Sequence, residues 1–215
     1  ELDTAFAGLI DAEINELILD LRYNGGGLVD VATFLASLLV GPNEAGEVFA
    51  RLEFHTSQSA LDEDLTFFSE FNALDLDRLF VLTTGGTASA SEMIISGLEP
   101  YIEVITMGET TFGKPVGQIG IPFCGKVLFP VAFEVSNAVD FGGYYDGLAP
   151  HCELEDDLGH ALGDTNEGLL AEALQFMDSG LCSSSILDRS AKSSVPSYMS
   201  QPLPKFSWQP WLSVW

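Results

Sequence analysis

The chain has 215 residues, 47% of them hydrophobic, so it can bury the core of one globular domain. It carries 32 acidic and 8 basic residues, and its net charge of −24 would repel nucleic acid phosphates, which excludes DNA and RNA as expected partners. The longest apolar stretch, residues 31–40, is too short to span a bilayer.

Strand and helix patterns alternate through the first third of the chain. Residues 14–21 have the apolar character of a buried strand, which runs into the glycine-rich segment RYNGGG. The spacing of apolar residues predicts a helix over 28–40, and residues 47–54 predict a second strand. The acidic stretch 56–78 is interpreted as an insertion of loops that contains a helix.

A strand, a small-residue turn, a helix and another strand then follow in direct succession. The strand covers 79–83, and the turn TGGTASA covers 84–90. The helix SEMIISGLEPY covers 91–101, with Pro100 marking its end, and the next strand covers 103–109. This order is typical of a βαβ unit.

Two more strands and a helix are predicted beyond this unit. Residues 116–121 and 126–136 suit strands, and Pro130 either weakens the second prediction or places that strand at a sheet edge. Residues 165–180 have helical spacing, with Thr165 as the N-cap and Gly180 as the residue that ends the helix.

The composition changes after residue 182. Residues 183–215 are rich in serine, proline and aromatic residues and hold all three tryptophans, as in a linker or tail. We therefore divide the chain into a core, 1–182, and a tail, 183–215. We expect the tail to dock through its aromatic side chains, on its own core or on a neighbouring copy.

The three cysteines lie too far apart for a zinc motif. Their odd number leaves at least one without a partner in the chain. One interpretation is three separate buried thiols, and the other is a disulfide between Cys124 and Cys152 in an exported protein. Neither a metal nor another cofactor is predicted.

Ser89 and Ser91 lie two residues apart at the start of the predicted helix 91–101. Ser89 and Glu92 match the capping box S-x-x-E, so one interpretation makes Ser89 a helix cap. A serine at a helix N-terminus also lies beside open backbone N–H groups, which can stabilise an oxyanion. The other interpretation therefore makes Ser89 a nucleophile.

A nucleophilic serine needs a base to remove its proton. His55, His151 and His160 do not stand in a motif that pairs with Ser89. Lys114 stands in the glycine-flanked segment TTFGKPVGQ, and a lysine can act as a base when burial lowers its pKa.

Three segments in order, LILDLRYNGGG, TASASE and TFGKPVGQ, resemble the serine peptidases of family S41, the C-terminal processing or tail-specific proteases. The resemblance covers roughly residues 2–180. The separation of Ser89 and Lys114, 114 − 89 = 25 residues, is that family's spacing between nucleophile and lysine, and it selects Ser89 over Ser91. The resemblance implies an α/β fold with a ClpP/crotonase-like core, in which helices flank a sheet and the nucleophile lies at a strand-to-helix turn.

The resemblance further implies a serine endopeptidase that cleaves polypeptides near their C-termini through an acyl-enzyme. Ser89 would be the nucleophile, Lys114 the general base and Gln118 the residue that orients the lysine. Members of the family usually work outside the cytoplasm, so we expect a periplasmic, lipid-anchored or secreted parent protein. The chain opens at Glu1 without an initiator methionine or a leader sequence, and we expect it to be a fragment or a processed product.

The oxyanion hole is also implied by the resemblance. Its donors would be the N–H groups of Ala90 and of a glycine in the NGGG segment, with Gly26 preferred. Glu92 would support the site or the cap without transferring a proton. Arg22 and Asn24 are interpreted as loop scaffolding or as support for the oxyanion hole.

The chain departs from the family pattern in three places. Pro100 stands where some members carry an aspartate, and Pro115 replaces the glycine common after the lysine. The upstream peptide-binding PDZ domain of the family is not found. Residues 140–147 are interpreted as a glycine turn or as part of the substrate cleft, and the acidic stretch 153–157 as solvated rather than as a calcium site.

Two other functions are compatible with the same fold. The first is a binding module that holds a peptide or an apolar ligand without cleaving it. The second is an acyl-CoA enzyme of the crotonase type. Neither the binding module nor the acyl-CoA enzyme needs a serine–lysine pair, so we prefer the peptidase.

Overall fold

The computed structural model describes residues 1–183, and the predicted tail lies outside these residues except for Ser183. The helices are α1 (Leu2–Asp11), α2 (Val29–Leu39), α3 (Ala90–Leu98) and α4 (Gly168–Ser179). The strands are β1 (Ile18–Asp20), β2 (Val48–Phe54), β3 (Glu63–Thr66), β4 (Arg78–Thr83), β5 (Glu103–Gly108), β6 (Val116–Gln118), β7 (Ile121–Phe123), β8 (Lys126–Leu128), β9 (Val131–Asn137) and β10 (Cys152–Glu153). Short 3₁₀ turns cover Pro42–Glu44 and Thr56–Leu61.

The strands form two four-stranded sheets and one hairpin. The first sheet is parallel throughout, with strand order β1-β4-β5-β10. The second is antiparallel, with order β3-β2-β9-β6. The hairpin consists of β7 and β8 alone.

Helix α3 lies in the interior and is buried along its whole length. It contacts β5 of the parallel sheet, β2 and β9 of the antiparallel sheet, and helix α2. A helix that is covered on all sides must be apolar or have satisfied polar groups, and α3 combines Met93, Ile94, Ile95 and Leu98 with small residues. On the other face of the parallel sheet, Leu169 and Ala173 of α4 pack against Phe80 and Met107.

The carboxyl ends of three neighbouring parallel strands bring the three sequence motifs together. The segment RYNGGG follows β1, the turn that ends in Ser89 follows β4, and the segment that contains Lys114 follows β5. In parallel sheets these ends share one edge, where ligand sites commonly form. The topology therefore brings together, at one edge of the sheet, motifs that lie as far as 114 − 22 = 92 residues apart in the sequence.

Most predicted elements lie where the patterns indicated, with shorter bounds. The predicted strand 126–136 is an exception, because it is two strands, β8 and β9, which part at Phe129–Pro130. Proline lacks the N–H that a continuous ladder would need there. In the insertion 56–78 the structure has a 3₁₀ turn and β3 in place of an α-helix. Helix α1 and the short β10 were not predicted.

The last helix begins later than its predicted cap. Glu167, not Thr165, is the N-cap of α4, and its carboxylate accepts hydrogen bonds from the N–H groups of Leu169 and Leu170. Gly180 ends the helix in a left-handed conformation, as predicted. Among residues 1–183, no helix has both the length and the apolar character needed to cross a bilayer.

Both interpretations of the cysteines, three separate buried thiols and a Cys124–Cys152 disulfide, are wrong. Cys152 of β10 is bonded to Cys182, which follows α4, while Cys124 is free and exposed at the turn of the β7–β8 hairpin. The bond closes a 30-residue separation and fastens the end of α4 to the edge of the parallel sheet. Spacing alone could not identify the pair, because three cysteines allow three choices.

Reduction of this disulfide should lower the free energy of unfolding by about 2–4 kcal/mol, because the bond restricts the unfolded chain. Urea titrations of the oxidised protein, of the Cys152→Ser/Cys182→Ser variant and of a Cys124→Ser control measure the effect. An unchanged midpoint in the double variant would contradict the prediction.

Candidate active site

A cavity of about 230 Å³ lies at the carboxyl edge of the parallel sheet, and both Ser89 and Lys114 line it. Gln118 and Ala90 also belong to its lining, as does Gly27 of the NGGG segment. The rest of the lining is largely apolar and includes Met93, Val116, Phe129, Phe133, Val135 and Tyr144.

Ser89 has an unusual backbone conformation at the N-terminus of α3. Its φ of 59° and ψ of −120° lie in a region that favours glycine, and holding another residue there costs about 1–3 kcal/mol. The Ser89 N–H donates to Glu92 Oε2 at 2.8 Å, which is the return bond of the predicted capping box. The Ser89 side chain is half-buried and lines the cavity.

Ser91 is buried and has a structural role. Its side chain is buried, and its hydroxyl donates to the carbonyl oxygen of Asn24 at 3.1 Å. The N–H of Ala88 donates to the same oxygen at 3.1 Å. Ser91 therefore fastens the segment after β1 to α3 and is not exposed to a ligand in the cavity.

The carboxylate of Glu92 connects the serine turn to the lysine segment. Glu92 is fully buried, and its Oε1 accepts hydrogen bonds from the Thr111 hydroxyl at 2.5 Å and the Gly113 N–H at 2.7 Å. Its Oε2 accepts from the N–H groups of Ser89 and Lys114, each at 2.8 Å. Four donors compensate the desolvation of this buried carboxylate. One side chain thus holds the backbones of Ser89 and Lys114.

Lys114 is half-buried and has no carboxylate partner among the described residues. The cations that form ion pairs within 1–183 are Arg22, Arg51, Arg78 and His160. The Lys114 side chain therefore lines the cavity without being engaged in an ion pair within these residues.

Gln118 lines the cavity but makes a different contact from the one predicted. Its Nε2 donates to the carbonyl oxygen of Phe129 at 3.0 Å, which ties β6 to the chain that leaves the β7–β8 hairpin. The predicted orientation of Lys114 by Gln118 stays a prediction. It would have to use Gln118 Oε1, the acceptor atom of the amide.

The NGGG segment packs directly against the serine turn. A Cβ atom on Gly26, whose φ is +89°, would lie 2.7 Å from both Ala88 O and Ala90 N, so only glycine fits. The Gly26 N–H, however, donates to Asn24 Oδ1 at 3.0 Å. The preferred oxyanion donor is therefore already engaged, while its neighbour Gly27 lines the cavity.

Gly26→Ala should lower the free energy of unfolding by about 1–3 kcal/mol, because the new methyl group would displace the serine turn. Gly25→Ala is the matched control, since a Cβ at that position meets no atom within 4 Å. Urea titration measures both, and equal stability of the two variants would contradict the assigned packing.

Arg22 anchors the start of this segment in a buried ion-pair cluster. Its guanidinium binds Asp20 at 2.7 Å, Glu167 at 2.9 Å and Asp156 at 3.3 Å. The hydrogen bond with Asp20 raises the pKa of Arg22 above its usual value. A hydrogen bond to Asp156 raises the pKa of Tyr23 to about 12. The acidic stretch 153–157 was predicted to be solvated. Through Asp156 it instead contacts Arg22 and Tyr23 and helps to hold the segment after β1.

Several cavity residues carry no motif and were not identified from the sequence. Phe133 and Val135 are alternate residues of β9, and both side chains line the cavity. The alternating pattern of a strand predicts that they share one face, but it does not predict which part of the protein that face contacts. Tyr144 lies in the predicted cleft-or-turn segment 140–147 and lines the cavity, stacked on Phe141. Burial raises the pKa of the Tyr144 phenol, which stays neutral.

The histidines lie apart from the cavity, as their lack of a motif suggested. His160 binds Asp157 at 2.7 Å, and this hydrogen bond raises the pKa of His160. His151 contacts Thr106 of β5, and His55 contacts Ser57. None of the three lines the cavity.

Sequence comparison matches residues 1–139 to the family model described as Peptidase family S41. Proteins named CtpA-like serine protease are among the curated relatives. The Staphylococcus aureus protein is 31% identical over 105 residues, 49% of this chain and 20% of the relative. The Staphylococcus saprophyticus protein is 30% identical over 118 residues, 55% of this chain and 23% of the relative.

Solved structures of proteases are also similar to this chain in sequence and in fold. An S41 protease from Bacteroides fragilis is 33% identical, with a TM-score of 0.78 over 84% of this chain and 49% of that one. The photosystem II D1 C-terminal processing protease is 26% identical, with a TM-score of 0.58 over 71% of this chain and 38% of that one. The predicted ClpP/crotonase-like α/β core is confirmed. The chain spans about a fifth of the length of the curated relatives and half or less of these two structures.

Proposed function

Since this chain belongs to peptidase family S41, we propose that it forms the core of a serine endopeptidase that uses Ser89 and Lys114 as a catalytic dyad. The observation that carries the proposal is the shared cavity. Ser89 and Lys114 line it together, and the carboxylate of Glu92 fixes the backbone of each. A cofactor is not needed for this chemistry.

The reaction is an acyl transfer in two stages. Neutral Lys114 takes the proton of the Ser89 hydroxyl as Oγ attacks the peptide carbonyl carbon. The C–N bond breaks, the amine leaves with the proton from Lys114, and an ester of Ser89 remains. Water, deprotonated by Lys114, then attacks the ester and releases the acid.

The oxyanion of each tetrahedral intermediate needs N–H donors. Ala90 N–H, at the N-terminus of α3, is the first donor. We assign the second to Gly27, which lines the cavity, rather than to Gly26, whose N–H binds Asn24. Losing one such donor costs about 2.7–4 kcal/mol of barrier stabilisation.

The substrate and the location are proposed from the same relationship. One structural relative is named as a C-terminal processing protease, and we propose that this chain too cleaves polypeptides near their C-termini. The Cys152–Cys182 disulfide supports a periplasmic, lipid-anchored or secreted parent protein, because such bonds persist in oxidising compartments.

Labelling with a fluorophosphonate probe tests the nucleophile. We expect one adduct by intact mass, its loss in Ser89→Ala, and its retention in Ser91→Ala, whose buried hydroxyl only supports the Asn24 loop. Cleavage of an unstructured polypeptide should be lost in the same variant, since removing a nucleophilic serine costs about 10⁶-fold in rate.

Circular dichroism verifies that each variant is folded. Labelling that survives Ser89→Ala would overturn the proposal. A folded chain that neither labels nor cleaves would overturn it as well, and would favour the binding module.

A further inference from the structure

The β7–β8 hairpin exposes apolar side chains in an otherwise acidic protein. The segment 119–131, IGIPFCGKVLFPV, has no acidic residue and one basic residue, Lys126. Its large apolar side chains are 38–72% exposed: Ile119, Ile121, Phe123, Val127, Leu128, Phe129 and Val131. A two-stranded ribbon is marginal in water by itself, and contiguous exposed apolar surface marks binding sites.

The register divides the hairpin into two faces. Ile121 lies opposite Leu128, and Phe123 opposite Lys126, so these four side chains share one face. Pro122 lies opposite Val127 on the other face. We call these the outer face and the cavity face.

The cavity face is continuous with the candidate active site. The Phe129 ring and a Val127 methyl group flank Gly120. A Cβ atom added to Gly120 would lie 3.0 Å from the Phe129 ring and 3.2 Å from the Val127 methyl group. Phe129 also lines the cavity that contains Ser89 and Lys114. The hydrogen bond from Gln118 to the Phe129 carbonyl holds this connection in place.

We propose that the cavity and the cavity face of the hairpin form one track for an extended polypeptide with two apolar residues separated by one residue. In an extended chain, alternate side chains project from the same face about 6.6–6.8 Å apart. One apolar side chain enters the cavity beside Ser89, and the other packs on Val127 and Phe129. This inference rests on the proposed peptidase function, which makes a polypeptide the substrate. It adds the sequence pattern that the enzyme selects in that polypeptide.

Charge favours the same class of substrate. The chain carries a net charge of −24, whereas the segment 119–131 carries only Lys126. Acidic polypeptides are repelled by the rest of the surface. The track therefore takes apolar segments that are poor in aspartate and glutamate.

Peptide cleavage by the full chain tests the track. Peptides keep leucine at the attacked carbonyl and carry leucine or serine two positions before or after it. We expect kcat/KM to favour leucine about tenfold at one of these positions, from burial of one apolar side chain. Val127→Ser should reduce this preference to below twofold, whereas Ile121→Ser, on the outer face, should leave it intact.

A binding measurement separates this proposal from the peptidase proposal. Fluorescence anisotropy of the leucine and serine peptides on Ser89→Ala needs no catalysis. Affinity for the leucine peptide should fall about tenfold on adding Val127→Ser and stay unchanged on adding Ile121→Ser. If Val127→Ser alters neither preference nor affinity, or if Ile121→Ser has the same effect, the track is overturned even where cleavage occurs. If cleavage fails but the binding difference is found, the track stands and the peptidase proposal falls.

Discussion

Replacing Lys114 with alanine is expected to slow acylation of Ser89 by about 10²- to 10⁴-fold, the contribution of a positioned general base. The Lys114 N–H, which binds Glu92, is kept in this variant, so the fold should persist. Lys114→Arg should not restore the rate, because a guanidinium stays protonated at any pH that a folded protein tolerates. Stopped-flow or quenched labelling with the fluorophosphonate probe measures the rate.

Lys126 provides the control for this experiment. Lys126 lies on β8, on the outer face of the hairpin, and does not line the cavity. Lys126→Ala therefore changes the net charge by the same amount as Lys114→Ala and leaves the cavity lining unchanged. We expect this variant to be acylated at the wild-type rate. Wild-type acylation of Lys114→Ala would show that another group removes the serine proton, and the dyad would have to be abandoned.

Glu92→Gln is expected to lower the free energy of unfolding by about 3 kcal/mol and to abolish probe labelling. Each carboxylate oxygen of Glu92 accepts two hydrogen bonds, and an amide NH₂ in place of either oxygen faces two donors. Leaving buried donors without acceptors costs about 1–3 kcal/mol each. Urea titration measures the stability.

A second measurement distinguishes positioning from stability alone. Labelling is measured at a temperature where unfolding curves show the Glu92→Gln protein to be native. Glu99→Gln, at the C-cap residue that follows α3, is the matched control. Desolvation raises the pKa of Glu99, so the neutral amide should not lower the stability, and labelling should be unchanged. A native Glu92→Gln protein that labels at the normal rate would show that Glu92 stabilises the core without positioning the dyad.

Much of the arrangement was predictable because local signals and topology agree. The segment from 79 to 109 has a strand, a glycine turn, a capping box and a second strand, and each signal points to the same βαβ unit. Glu92 was predicted as a supporting residue from the capping box S-x-x-E and from the family resemblance of the segment SASE. Its contacts with Gly113 and Lys114 depend on the pairing of β4 with β5, which a local motif does not specify.

Contacts that depend on tertiary packing could not be predicted. The resemblance suggested Gly26 as an oxyanion donor, but it does not show that the side chain of Asn24 binds the Gly26 N–H. It suggested Gln118 as the partner of Lys114, but it does not show that Gln118 Nε2 binds the backbone of Phe129. Neither interpretation of the cysteines included the Cys152–Cys182 bond, because α4 returns Cys182 to β10 through packing over the sheet.

The complete burial of α3 has a consequence for how the protein acquires its reactivity. Because one sheet covers one side of this helix and the second sheet the other, α3 is not sheltered until both have assembled. Ser89 keeps its strained backbone only through neighbours from those same parts. On the proposed mechanism, Ser89 would therefore become a nucleophile only after both sheets have assembled around α3.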